Sequence, residues 1–206
     1  MSGTSLDGVD LAYIATDGAE YVQPLAFRTY EYDDGLRARL RFCFGARETT
    51  AEISEIEAEL THFHADIVNG FMDDLKTQTP NPALDIIGFH GQTVMHDPAQ
   101  QFTWQLGDGE LLRRLCQWDV VYDFRQADVA AGGQGAPLIP IYHAARVASA
   151  RRVCLESEQT SDSLSASCPL LNDAVAIVNI GGVSNITWLG ASGANMENLT
   201  LKPVHD

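Results

Sequence analysis

The stretch 84–96, LDIIGFHGQTVMH, decides the fold class. Leu84 to Phe89 (LDIIGF) reads as a buried strand, and it runs straight into the polar sequence HGQT. Upstream, Ile53, Ile56, Leu60, Phe63, Ile67, Phe71 and Leu75 recur three or four apart, which places one apolar face on a long helix. Thr49 with Glu52 has the form of a capping box at its start, and Pro80 and Pro82 lie just past its end. Downstream, Phe102 to Leu106 reads as a second strand, Glu110 to Gln117 as a short helix and Val120 to Tyr122 as a third strand. A dense loop, DFRQADVAAGGQGAPLIP (123–140), then leads into a helix near Ile141 to Ala150. Strands alternating with helices indicate an α/β domain.

Toward the ends the pattern is sparser. The chain opens on MSGTSLDGVD, followed by a β-rich run from Val9 to Thr16 and a turn at Asp17 and Gly18. From Leu155 to Asp173, five serines and three acidic residues before Asp173, without apolar periodicity, read as a surface loop or insertion. Ala174 to Val178 resumes as a strand, the glycine turn NIGG follows, and Asn185 to Leu189 is again β-like. With 206 residues, the chain suits one domain and part of another: a first domain over 1–135 and the beginning of a second over 136–206, carrying the 155–173 insertion.

Composition narrows the function. Hydrophobic residues at 45% and charged residues at 20% describe a folded chain. The formal charge of −15 repels phosphate backbones, which disfavours a nucleic-acid binder and obliges any nucleotide site to rely on local backbone donors and a metal. No apolar run approaches membrane-spanning length, so no membrane partner is expected. The cysteines 43, 116, 154 and 168 form no Cys-x-x-Cys pair and read as reduced thiols of a cytoplasmic protein.

Four polar, glycine-bearing segments sit at strand ends. In SGTSLDGVD, Gly3 and Gly8 permit backbone amides to approach an anion, Thr4 and Ser5 add hydroxyls, and Asp7 and Asp10 could hold a Mg²⁺ shell; a polar turn explains the composition as well. In HGQTVMH, His90, Gln92, Thr93 and His96 occupy the place where α/β folds put ligand groups, although histidines bonded to nearby backbone are the stronger reading than metal ligands. In DFRQAD, Asp123 and Asp128 flank Arg125, an arrangement that suits either sugar hydroxyls or an internal ion-pair network. The GGQGAPLIP that follows implies backbone shaped closely against a neighbour, and NIGGVSNIT, with Asn179, Gly181, Gly182 and Asn185, is either a second phosphate-facing turn or a plain hairpin.

MSGTSLDGVD, GFHGQTVMH, FTWQLGDG, DFRQADVAAGGQGAPLIP and NIGGVSNIT, in this order, resemble the anhydro-N-acetylmuramic acid kinases of the sugar kinase, Hsp70 and actin superfamily. The resemblance implies two RNase H-like (actin-like ATPase) domains closing on ATP and Mg²⁺, with a small amino sugar as the other substrate and a homodimer as a candidate assembly. It implies water attack at the anomeric carbon of 1,6-anhydro-N-acetylmuramic acid and transfer of a phosphoryl group to its 6-oxygen, a step of cell-wall amino-sugar recycling. By that likeness Gly3, Thr4, Ser5, Leu6, Asp7, Gly8, Val9 and Asp10 form the ATP phosphate loop. His90, Gln92, Thr93, Asp123, Arg125 and Asp128 line the cleft near the sugar. Asn179, Gly181, Gly182 and Asn185 start the second domain. The family's water-activating Asp lies in an Asp-x-Gly-Pro-Gly-Asn motif, and its first domain has a strand ahead of MSGTS. This sequence contains neither, so no catalytic base is assigned and the chain is expected to be a front fragment. Two other readings remain: a non-catalytic module that keeps part of the fold, and a metal-dependent hydrolase on His90, His96 and Asp123.

Overall fold

A computed structural model describes residues 6–19, 21–78, 82–160, 173–179 and 185–191. The chain divides into two compact units, Met1–Ala12 with Phe27–Ala136, and Tyr13–Ala26 with Pro137–Asp206. The architecture is mixed α/β, with one parallel strand pair and three other two-stranded sheets among the described residues.

Strands β1 (Gly8–Thr16) and β2 (Val22–Glu31) pair with each other. Helix α1 (Asp34–Phe42) begins at Asp33, whose carboxylate accepts from the Leu36 amide at 2.7 Å. Helix α2 (Ala51–Gln78) is the spine of the first unit. Its cap is Thr50, which accepts from Ile53 N at 3.2 Å, so the capping box expected of Thr49 and Glu52 does not form. The helix starts one residue later than that pairing requires, and the third position inside it is Ile53.

The apolar stripe of α2 does fall on the core side, and the helix serves two cores at once. Ile53, Ile56, Leu60 and Ile67 pack with Leu6, Val9, Tyr32, Leu36, Leu40, Val94 and Leu106. A quarter-turn away, Ala65 and Val68 pack with Phe89, Leu112 and Cys116. Each fully buried Leu or Ile contributes about 1.5–3 kcal/mol, so the dozen residues of the larger cluster are the main source of this unit's stability.

Strand β3 (Ile86–Gly88) pairs in parallel with β6 (Asp119–Val121), Ile87 opposite Val120. The expected buried strand over 84–89 is thus a three-residue strand buried on one side. Ile87 and Val120 pack on the second core, while Ile86 is 52% exposed. Segment 92–97, for which no strand was expected, is strand β4 (Gln92–Asp97), paired antiparallel with β5 (Phe102–Leu106) through a 3₁₀ turn at Pro98–Gln100. Polar residues there pair across the hairpin, Thr93 opposite Gln105 and His96 opposite Thr103. Helix α3 (Gly109–Cys116) is capped by Asp108, which accepts from Leu111 N at 2.9 Å. A short helix α4 (Gln126–Ala130) lies inside the segment expected as pure loop.

In the second unit, Asp17 Oδ1 accepts from the amides of Ala19 and Tyr21, both at 2.9 Å, closing the turn expected at Asp17 and Gly18. Helix α5 (Ile139–Thr160) runs well past Ala150 and into the Ser-rich stretch, whose residues 161–172 lie outside the described ones. Strands β7 (Val175–Asn179) and β8 (Asn185–Leu189) form an antiparallel pair; the NIGG turn, with Gly181 and Gly182, lies outside the described residues. Buried Thr187 shares a 2.8 Å hydrogen bond with His143 Nδ1, and Arg151 donates to the carbonyls of Asp173 and Gly190. Cys43 and Cys116 are free buried thiols, but Cys154 is disulfide-bonded, which corrects the expectation of four reduced cysteines. Among the described residues no helix is long and apolar enough to cross a membrane.

Candidate active site

The carboxyl ends of β3 and β6 lie side by side, which brings the two polar motifs that follow them into one cluster in the first unit. His90 follows β3 by way of Phe89, whose amide donates to Val121 O at 2.8 Å. Next comes Gly91, at φ +66°, where an added Cβ would stand 2.5 Å from the Leu106 carbonyl oxygen. Only glycine lets the chain turn from β3 into β4 this close to β5.

The hydrogen bonds of His90 define its tautomer. Nδ1 lies 2.8 Å from the Gly91 carbonyl, which can only accept, so Nδ1 carries the proton. Nε2 is then a bare acceptor and receives Arg125 Nε at 3.2 Å and Nη2 at 3.0 Å. Burial, with the Arg125 charge beside the ring, holds His90 below the ordinary histidine range, so the imidazole is neutral at pH 7. The remaining arm of Arg125 donates to Gly135 O at 2.5 Å. On the other side of that residue, Asp128 Oδ2 accepts from Gly135 N at 2.6 Å, and the Asp128 carbonyl accepts from Gly133 N at 2.8 Å. An added Cβ on Gly133 would run into the Asp128 carboxylate, and one on Gly135, at φ +63°, would meet Val129 Cγ2 at 2.6 Å. Gly133 and Gly135 are therefore required by α4 and the side chains on it.

Asp123 differs from its neighbours. It sits just past β6 at φ +58°, an uncommon conformation for a residue with a side chain. One carboxylate oxygen accepts from Gln126 Nε2 at 3.1 Å, the side chain is exposed, and partial desolvation raises its pKa above the usual carboxylate value. Gln92 is fully buried, with Nε2 donating to Thr93 O, and Thr93 Oγ1 accepts from Gln105 Nε2 at 3.4 Å. His96 shares a 2.9 Å bond with Thr103 Oγ1. The two histidine rings are thus engaged with protein partners, and no trio of His, Cys, Asp or Glu among the described residues could hold a metal ion.

Of the opening motif, residues 1–5, which include Gly3, Thr4 and Ser5, lie outside the described residues. Leu6 and Val9 are core side chains, so they can offer a ligand only backbone. Gly8 approaches the Tyr30 main chain so closely that no Cβ fits, which gives it a packing role. Asp7 is exposed, and Asp10 Oδ1 accepts from Thr29 Oγ1 at 2.6 Å. In the second unit Asn179 and Asn185 are the closing pair of the β7–β8 ladder.

A sequence model of the family described as anhydro-N-acetylmuramic acid kinase matches residues 1–156 of this chain. The chain belongs to that family. A protein of this name from Rhizorhabdus wittichii is 42% identical over 197 residues, covering 93% of this chain and 48% of the relative. Those from Brucella canis and Acidiphilium cryptum are 43% and 44% identical, each over 94% of this chain and 49% and 47% of their own lengths. The chain spans about half the length of the curated relatives it matches.

Two contributors to the site escaped sequence reasoning. Glu57 Oε1 accepts from Gly107 N at 3.0 Å, and Thr61 Oγ1 accepts from Asp108 N at 3.0 Å, so α2 pins the GDG turn that starts α3. Thr61 donates in turn to the Glu57 carbonyl at 2.7 Å. The one available signal was a polar residue completely buried beside the apolar stripe, and burial is not visible in a single sequence.

Proposed function

We propose that this chain carries the sugar-facing and phosphate-facing loops of an ATP-dependent kinase that opens 1,6-anhydro-N-acetylmuramic acid and phosphorylates its 6-oxygen. In this reaction water adds to the anomeric carbon, the bridging C1–O6 bond breaks, and the freed 6-oxygen takes the γ-phosphoryl group while ADP leaves. The observation that carries the reading is the family match over residues 1–156, which spans the cluster at the ends of β3 and β6. The family's fold, two RNase H-like domains working in the cytoplasm, belongs to the same proposal.

The work of these residues is positioning more than acid–base chemistry. Asp123 offers an exposed carboxylate to a sugar hydroxyl, and neutral His90 keeps positive charge beside it confined to Arg125. Backbone amides of the opening motif would face the phosphates, with Asp7 and Asp10 as carboxylates for a Mg²⁺ that arrives with the nucleotide. Mg²⁺ usually keeps several waters, so one or two protein carboxylates would suffice to hold it. Bound Mg²⁺ would neutralise charge on the transferred phosphoryl group.

The 206-residue chain is expected to bind the anhydro sugar without turning it over, its described groups positioning the sugar. Calorimetric titration with the sugar, run beside a coupled ADP-release assay with Mg·ATP, tests this. Binding with no sugar-dependent ADP release is the expected result. Absence of sugar binding would overturn the reading, and sugar-dependent ADP release would assign water activation to a carboxylate of this chain, Asp123 first.

A further inference from the structure

Within DFRQAD and HGQT, His90, Arg125 and Asp128 are tied by hydrogen bonds to one another or to one backbone segment. The Gly135 peptide is gripped from both sides: Asp128 accepts from its N–H and Arg125 donates to its C=O. Arg125 is itself aimed by the bare Nε2 of His90, whose own proton is committed to Gly91 O. Gly133 lacks the Cβ that would displace the Asp128 carboxylate, and Gly135 lacks the one that would strike Val129. Gly132, at φ +89°, has open space where a Cβ would be, so only its backbone conformation demands glycine.

We propose that Arg125 and Asp128 are positioning residues that fix the shape of the 131–136 loop through the Gly135 peptide, with His90 as the acceptor that orients Arg125. The assignment rests on the kinase reading for its purpose, since in that reading the loop so held would shape the sugar-facing side of the cluster. Charge is not the property of Asp128 that matters; an acceptor oxygen at the Oδ2 position is. A carboxylate that bound a sugar or a metal through its charge would behave differently. The forked geometry of Arg125 matters as much as its charge, because two bonds to His90 and one to Gly135 O need a guanidinium.

Two measurements on the full chain test this without catalysis. In wild type, ¹⁵N NMR of the His90 ring is expected to show a protonated Nδ1 and a bare Nε2 at pH 7; a protonated Nε2 would overturn the proposal. Amide exchange of Gly135 is expected to speed up about tenfold or more in Asp128→Ala and to stay near wild type in Asp128→Asn, which keeps an acceptor oxygen. Equal loss of protection in both variants, or no loss in Asp128→Ala, overturns it. Because Asp128→Asn is expected to fold normally, the test survives a misfolded alanine variant. Sugar affinity should follow Gly135 protection across the set, including Arg125→Lys, which is expected to lose both. Failure of wild type to bind the sugar would sink the kinase reading alone, leaving the tautomer and exchange results to judge the clamp.

Discussion

Acidifying the protein should expose one buried group above all others. His64 lies on α2 with 5% of its surface exposed, donates Nδ1–H to Leu60 O at 2.8 Å, and meets the Phe89 ring edge-on at 5.0 Å between centroids. Burial lowers its pKa from 6.5 to about 4. The unfolded chain therefore takes up the proton first. The stabilisation is complete above pH 6.5, declines as pH falls from 6.5 toward 4, and is gone below that. At about 1.4 kcal/mol per pH unit, the interval corresponds to about 3 kcal/mol, a large share of the stability of a small domain. The assay is urea unfolding from pH 7 to pH 4, followed by tryptophan fluorescence, for wild type and His64→Leu. Trp118 packs against the same core as Phe89 and reports on it. Carboxylates titrate in the same range, so the informative quantity is the difference between the two proteins. That difference should shrink by about 3 kcal/mol in favour of the leucine variant. Parallel curves would refute the claim that His64 is buried as a neutral ring.

Other outcomes follow from the same packing. Thr61→Val keeps the shape of α2 but leaves the Asp108 amide without its acceptor, and should cost about 1–3 kcal/mol in the same denaturation assay. Gly91→Ala puts a methyl group against the Leu106 carbonyl at a positive φ and should either cost at least about 2 kcal/mol or abolish soluble expression. Thr50→Ala should cost about 1 kcal/mol as a lost helix cap, whereas Thr49→Ala should be near neutral. Val178, Ile186 and Trp188 (54% exposed) present apolar surface on the β7–β8 pair, so Trp188→Ser should reduce self-association in sedimentation velocity.

The long helix α2 was legible because its periodicity is strong, whereas the ten-residue β2 and the nine-residue α1 were not foreseen. The α2 stripe buries as its spacing requires, and β5 and β8 span the residues that their composition marks. Short elements were not legible. Helix α4 is five residues inside a glycine-rich segment, and β4 is a polar strand whose identity depends on a partner ten residues away. In the cluster, residue types pointed to the right neighbourhood. They could not separate a side chain that faces a ligand from one that braces a loop. Asp123 and Asp128 are chemically identical, and what distinguishes them is a backbone dihedral at one and a glycine amide at the other. The misplaced cap has a similar origin: adjacent threonines offer the same hydroxyl, and tertiary packing of Ile53 selects Thr50.

The parallel pairing of 86–88 with 119–121 also bears on the order of events as the chain acquires its structure. The β4–β5 hairpin lies wholly between those two strands and closes over a short turn, so it forms from local contacts. Strand β3 has no such partner within reach and must wait until α3 and β6 have been synthesised. Until then Phe89 and Ile87 have only part of their core to pack against. The cluster around His90 and Arg125 therefore cannot be complete until β6 and α4 have been synthesised.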